Sequence, residues 1–119
     1  MKENVIKTKS FQFAVNTVKM FKSLQDARRE FIISKQFIRS GTSIGANVRE
    51  GINAESKLDF IHKLGIAQKE CDETIYWLEL LNATNYISFD EMSRLKCDAE
   101  ELMRIIRSII ITTKRNSKN

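Results

Sequence analysis

The 119-residue chain has no proline, four glycines, two cysteines and a single histidine. Two cysteines are too few for a disulfide framework, and one histidine is too few for a di-iron bundle site. No serine or cysteine lies near the histidine in the helical register, so no nucleophile–base pair is predicted. No apolar run approaches the ~20 residues that cross a bilayer, and the N-terminal segment lacks the apolar core of a secretion signal. The sequence therefore predicts a cytoplasmic protein with no membrane contact, cofactor, metal site or catalytic constellation.

Apolar residues recur at spacings of three and four along most of the chain, which is the period of helices that bury one face. Four helices are predicted, approximately at residues 5–26, 33–53, 57–83 and 89–112, followed by a short, frayed basic tail. Ser56 and Ser88 are expected to cap the last two helices, with Asp59 and Glu91 three residues further on. No segment has the alternation of a strand. One all-α domain, an antiparallel up-down four-helix bundle, is the predicted fold.

Three of the four glycines fall in "RSGTSIGANVREG", residues 39–51, which we call the glycine-rich segment. A phosphate-binding loop would have two glycines bracketing four residues and then a lysine, whereas Gly41 and Gly45 are only four apart and no lysine follows. The apolar register also continues through the segment at Ile44 and Val48. We therefore predict a helix that lacks bulk where a neighbouring helix or subunit comes close, at a cost of about 1 kcal/mol for each glycine.

Two further polar and aromatic features invite interpretation. Asn47 and Glu50 flank the apolar register, and we interpret them as a hydrogen-bonded pair that fixes the helix register. Tyr76 and Trp77 are expected to cover the flank of the bundle or a subunit interface rather than to stack on nucleobases.

The two cysteines, Cys71 and Cys97, both occupy core-like spacings. Both are therefore expected to be buried structural thiols.

The charge distribution is uneven, with a net charge of +5 and a pI of about 9.4. Residues 1–49 carry ten lysines and arginines against three acids, whereas residues 50–87 carry three against seven. This polarity suits a polyanion or complementary self-association, although solvated helix faces explain single charges equally well. Lys35, Arg39 and Arg49 are expected on roughly one side of the second helix. The candidate phosphate contacts are Lys19, Lys22, Arg28, Arg29, Lys35, Arg39 and Arg49.

The glycine-rich segment, followed by "AESKLDFIHKLGIAQKECDETIYWLELL", resembles the four-helix-bundle family of proteins encoded in intervening sequences of bacterial 23S ribosomal RNA genes. Relatives of that family include the accessory variability determinant of diversity-generating retroelements. The resemblance covers about residues 8–112, and Gly45 stands where many members have proline. Its most specific positions are Arg39, Ser40, Ser43, Ile44, Asn47, Glu50 and Gly51, and it continues with Phe60, Leu64, Ala67 and Glu70.

The resemblance implies an antiparallel four-helix bundle that assembles into a ring-like homopentamer without enzymatic activity. The retroelement relative binds nucleic acid and a reverse transcriptase through a basic surface. The expected partners are therefore further copies of the chain, RNA or DNA, and a reverse transcriptase or a ribosomal partner. The alternative is a protein-interaction scaffold, such as an accessory subunit of a reverse transcriptase, that does not itself contact nucleic acid.

Overall fold

A computed structural model describes the backbone of residues 2–117 and the side chains of residues 5–116. It contains α1 (Lys2–Asp26), α2 (Ile33–Ile52), α3 (Lys57–Ala83) and α4 (Phe89–Ser117), and no strand occurs in this range. The prediction of an all-α chain with four helices is confirmed, including the passage of α2 through the glycine-rich segment.

The C-terminal end of α4 differs from the prediction, because the expected frayed tail is helical as far as Ser117. The Thr113 hydroxyl donates a hydrogen bond to the Ile109 carbonyl at 2.7 Å. Lys114 and Arg115 lie in the last turn, where positive charge is favoured by the helix dipole. Basic composition was therefore a poor guide to fraying at this terminus. Residues 118 and 119 of the predicted tail lie outside the described range.

Each helix packs against two others, and the described part of the chain measures 52 × 22 × 20 Å. Contacts join α1 to α2, α2 to α3, α3 to α4 and α4 to α1, whereas no Cα pair of the described residues lies within 8 Å between α1 and α3 or between α2 and α4. All four helices therefore surround one apolar core. Its fully buried members include Phe13, Leu24, Phe37, Ile44, Val48, Leu64, Ala67, Leu78, Leu81, Ala99, Leu102 and Ile106.

The predicted caps of α3 and α4 are confirmed. The Ser56 hydroxyl accepts the Asp59 N–H at 3.1 Å. Ser88 and Glu91 form a reciprocal pair, in which the Glu91 N–H donates to the Ser88 hydroxyl at 3.1 Å and the Ser88 N–H donates to the Glu91 carboxylate at 2.9 Å. Each bond satisfies a backbone donor that has no partner within its own helix.

The start of α2 is held by Glu30, which sequence analysis did not single out. Its carboxylate, in a residue only 6% exposed, accepts the N–H groups of Ile32 (3.1 Å), Ile33 (3.0 Å) and Ser34 (2.6 Å). Burial raises the pKa of Glu30, but these hydrogen bonds outweigh it, so the pKa lies below the usual range for glutamate. Glu30 thus takes over the capping role that serine takes in α3.

Close contact between α1 and α2 occurs at two glycines. A Cβ added at Gly41 would lie 2.6 Å from the Thr17 Cγ2, and one added at Gly45 would lie 3.2 Å from the Ser10 carbonyl oxygen. Because backbone of α1 forms the contact at Gly45 and a buried side chain forms it at Gly41, neither position has free space for a methyl group. The interpretation of this segment as a helix without bulk at a close crossing is confirmed.

We expect Glu30→Gln to lower the free energy of unfolding by about 1 kcal/mol at pH 7, because a neutral amide caps α2 less strongly than a carboxylate. The folded-state pKa is depressed, so the carboxylate's contribution is present above the unfolded pKa and is lost as the pH falls through the folded pKa. Urea denaturation should therefore show a difference between wild type and variant that shrinks below about pH 4. The exposed Glu55→Gln is the control, and a difference independent of pH contradicts this role for Glu30.

Gly41→Ala and Gly65→Ala should have opposite effects on thermal stability. A Cβ at Gly65, in α3, meets no atom within 4 Å, so alanine should stabilise the helix by about 1 kcal/mol. At Gly41 the same gain is offset by overpacking against Thr17, which costs about 1–3 kcal/mol. Thr17→Ala should relieve that overpacking in the double variant. Equal stabilisation by both glycine substitutions contradicts a close crossing at Gly41.

Candidate nucleic-acid interface

Arg39, one of the seven candidate phosphate contacts, is paired within the chain. Its guanidinium lies 3.3 Å from a Glu70 carboxylate oxygen and also donates to Glu73. The same Glu73 oxygen accepts the Trp77 indole N–H at 2.9 Å. Arg39 therefore joins α2 to α3, and two carboxylates neutralise its charge. These two ion pairs compete with any phosphate for the Arg39 guanidinium.

Arg28 also bonds within the chain. Its guanidinium donates to the backbone carbonyls of Asn85 at 2.8 Å and Tyr86 at 2.9 Å, and lies 5.4 Å from the centroid of the Tyr86 ring. These bonds join the α1–α2 connection to the α3–α4 connection, so both connections lie at the same end of the molecule. We call it the connection end. The sequence contained no sign of this pairing, since 57 residues separate Arg28 from Asn85.

Arg29 and Arg49 are exposed and each lies over an aromatic ring. The Arg29 guanidinium is 5.2 Å from the centroid of Phe31, and that of Arg49 is 5.7 Å from the centroid of Phe11. Arg49 thus faces α1, whereas Arg39 faces α3. At 3.6 residues per turn, ten residues leave two side chains about 80° apart, which is enough to direct them to different neighbours. The prediction that both lie on one side of α2 is wrong.

The three lysines among the candidates are exposed and lie towards the connection end. Lys19 and Lys22 occupy the last two turns of α1, and Lys35 occupies the first turn of α2. Within the described residues, no carboxylate lies within 4 Å of any of their three amines. We call these three lysines, together with the exposed Arg29, the basic end.

A second group of arginines was missed by sequence analysis. Arg104, Arg107 and Arg115 line a shallow depression of about 380 Å³ on α4, with Ile111 between them. Their spacing places them along one face of the helix. The arginines could have been recognised from the spacing of three, four and four residues that joins Arg104, Arg107, Ile111 and Arg115. They were missed because positive and negative charges are more evenly balanced in this half of the chain.

The polar positions of the glycine-rich segment bond locally or to α3. The Asn47 amide donates to the Ser43 carbonyl at 2.9 Å, and the Ser43 hydroxyl donates to the Arg39 carbonyl at 2.6 Å. Glu50 instead pairs with Lys63 of α3 at 3.1 Å. The predicted hydrogen-bonded pair of Asn47 and Glu50 is therefore wrong, since each side chain has a different partner.

The remaining positions of the segment lie in the α2–α3 contact or the core. The buried Ser40 hydroxyl accepts a hydrogen bond from the Thr74 hydroxyl at 2.9 Å and itself donates to the Phe37 carbonyl. A Cβ at Gly51 would lie 3.3 Å from the Lys63 Cβ. With Ile44 fully buried, the positions that carried the family resemblance hold α2 in place rather than forming an exposed site.

A groove of about 820 Å³ lies between the N-terminal half of α1 and the C-terminal half of α2. Ala14, Gly45 and Ala46 contribute small side chains to its lining, and Phe11 stands exposed beside them with 57% of its surface accessible. Charged residues of both signs also line the groove. They are Lys7, Arg49, Glu50, Glu55, Asp59 and Lys63.

The described residues show no cluster for metal binding, and one of their two thiols is buried. No group of three or more His, Cys, Asp or Glu side chains among them is placed to hold a metal ion. Burial, with the nearby charges of Asp72 and Glu70, raises the pKa of Cys71 to about 12, so this thiol is protonated at neutral pH. Cys97 is exposed, contrary to expectation. None of the described helices has the length and apolar character needed to cross a bilayer.

Comparisons with known proteins identify relatives of the whole fold. The model of the 23S rRNA-intervening sequence protein family matches residues 2–108. The chain is also similar to a crystal structure of a protein with unknown function from the S23 ribosomal protein family of Bacteroides thetaiotaomicron, with 51% identity and a TM-score of 0.91 over 92% of this chain and 98% of that one. The curated proteins include no match. The chain therefore belongs to the 23S rRNA-intervening sequence protein family.

Proposed function

We propose that the protein is a non-enzymatic, cytoplasmic, oligomeric four-helix bundle that binds RNA or DNA electrostatically through its basic end. The observation that carries the proposal is the group of exposed amines of Lys19, Lys22 and Lys35, which have no carboxylate within 4 Å among the described residues. Cations without internal partners are available to phosphates, and the release of counterions from the nucleic acid then drives binding.

The acidic middle of the sequence is compatible with this proposal, because several of its acids have internal partners. Glu70 and Glu73 contact Arg39, and Glu79 accepts a hydrogen bond from Lys96 at 3.0 Å. These carboxylates face neighbouring helices of the same chain. They therefore weaken the field at the basic end less than their number in the sequence suggests.

The helix order that we infer is antiparallel and up-down. Gly45 meets Ser10 and Gly41 meets Thr17, so successive contacts run forward along α1 and backward along α2. The same reversal relates α2 to α3, since Gly51 lies beside Lys63 whereas Ser40 bonds to Thr74. This arrangement gathers the end of α1 and the start of α2 into the basic end.

The assembly that we propose is a ring-like homopentamer. Exposed apolar residues offer surface for subunit contacts, notably Ile32 at 80% and Leu58 at 81% exposure. A cyclic ring would repeat the basic end once in each subunit, so one nucleic acid could engage several copies and gain affinity without new kinds of contact.

A protein-interaction scaffold is the second candidate, as an accessory subunit of a reverse transcriptase or a ribosomal partner. It is favoured by the apolar residues at the connection end, where Phe31, Ile32 and Phe89 are all exposed. Such residues suit a protein partner better than a phosphate backbone.

The binding proposal is tested by the triple variant Lys19→Gln, Lys22→Gln, Lys35→Gln. Retardation of a structured RNA should weaken about 10- to 100-fold at ~50 mM salt, and the slope of log affinity against log salt should fall by about two to three, because three phosphate contacts are lost. The control is Lys57→Gln, Lys69→Gln, Lys114→Gln, which changes the net charge equally at exposed positions elsewhere. Equal weakening in both variants, or no retardation by the wild-type oligomer, contradicts the proposal.

The assembly is tested by light scattering at micromolar concentration. We expect a mass five times that of the 13.8 kDa chain. A stable monomer contradicts the proposed ring.

A further inference from the structure

The exposed Phe11 ring and its neighbours carry an inference that rests on the proposed nucleic-acid binding and specifies its substrate. We propose that the groove between α1 and α2 binds an unpaired nucleotide of a single strand, with the base stacked on Phe11. A flat ring, a guanidinium and small residues come together in this groove.

Stacking is the first component of the site. Phe11 is 57% exposed on a helix whose Phe13 and Thr17 are buried, so its ring contributes little to the core of the subunit. The Arg49 guanidinium lies over the ring, 5.7 Å from its centroid, so a base would stack on the opposite face. Phenylalanine and arginine both stack on nucleobases, and one base–aromatic contact changes affinity roughly 5- to 150-fold.

Cations next to the ring supply the second component. Lys7 precedes Phe11 by one helical turn and lines the same groove, while Arg49 contributes from α2. A nucleotide whose base lies on Phe11 therefore has a cation from each helix within reach of its phosphates. Lys63, on α3, is already paired with Glu50 and adds little free charge.

The acids of the groove give the third component, which is a preference among bases. Glu55, in the α2–α3 connection, and Asp59, in the first turn of α3, both line the groove. Carboxylates repel phosphate but accept hydrogen bonds from exocyclic amino groups such as N4 of cytosine, whereas uracil has no such group. The groove should therefore orient the phosphates towards α1 and prefer cytosine to uracil.

The composition of the groove favours a nucleotide over a helix of a second copy. A docked helix needs a continuous apolar stripe several turns long, whereas this groove has one aromatic ring and six charged residues among its lining. Its volume of about 820 Å³ lies within the range typical of small-ligand sites. A single base with its phosphates matches that mixture of one flat apolar surface and charges of both signs.

The test measures binding affinity by the fluorescence anisotropy of labelled 12-nucleotide oligo(C), oligo(U) and oligo(dC) at ~50 mM salt. An RNA duplex, which has no unpaired bases, is the control ligand. Phe11→Leu keeps an apolar side chain but removes the ring, so it should weaken single-strand binding by about 10-fold. Duplex binding and the salt slope should stay unchanged, because no phosphate contact is lost. Phe11→Tyr keeps the ring and should retain wild-type affinity, and oligo(C) should bind more tightly than oligo(U).

Each outcome of this test supports or overturns the inference. If Phe11→Leu loses affinity for oligo(C) alone, the site binds RNA, and if it loses affinity for oligo(dC) alone, the site binds DNA. Loss of affinity for both means that the site accepts single-stranded RNA and single-stranded DNA. Unchanged single-strand binding in Phe11→Leu overturns the inference and leaves the proposed function intact. A lower mass of Phe11→Leu in light scattering overturns it as well, because the groove is then a contact between subunits. Failure of the wild type to bind any of these nucleic acids overturns the proposed function itself.

Discussion

The fold depends on the close approach of α2 to both of its neighbours. On the α1 side, Gly41 and Gly45 leave no room for a methyl group, and on the α3 side a buried hydroxyl pair joins Ser40 to Thr74. Each glycine costs about 1 kcal/mol of helix propensity, which close packing offsets. The hydroxyls are also satisfied, since no buried side-chain polar atom of the described residues lacks a partner.

The same approach determines how the charges are used. Because α2 lies close to α3, Arg39 reaches Glu70 and Glu73, and Glu50 reaches Lys63. Some of the positive charges of the first half and the negative charges of the acidic middle therefore pair with each other between helices. The positive charge that remains on the surface includes the basic end, the groove cations Lys7 and Arg49, and the exposed arginines of α4.

What sequence reasoning could predict follows from the range of each interaction. The helices, and the caps at Ser56 and Ser88, depend on residues three or four apart, so local spacing revealed them. The cap of α2 was not predicted because Glu30 lies before the usual cap position of that helix. Its carboxylate accepts hydrogen bonds from three successive N–H groups. The partners of Arg28 and Arg39 depend on how the helices are rotated and placed, and no spacing within one helix contains that information.

The basic end and the Phe11 groove lie at opposite ends of α2, which constrains how one strand could use both. Lys35 and Arg49 are 14 residues apart, or about 21 Å along the helix axis. Stacked nucleotides advance about 3.4 Å each along a strand, so roughly six of them separate the two positions. A strand shorter than that can occupy only one of them within a subunit. Under the proposed function, electrostatic attraction at the basic end would act on any polyanion. The proposed stacking in the groove would then select strands that have an unpaired base about six nucleotides from their contact with the basic end.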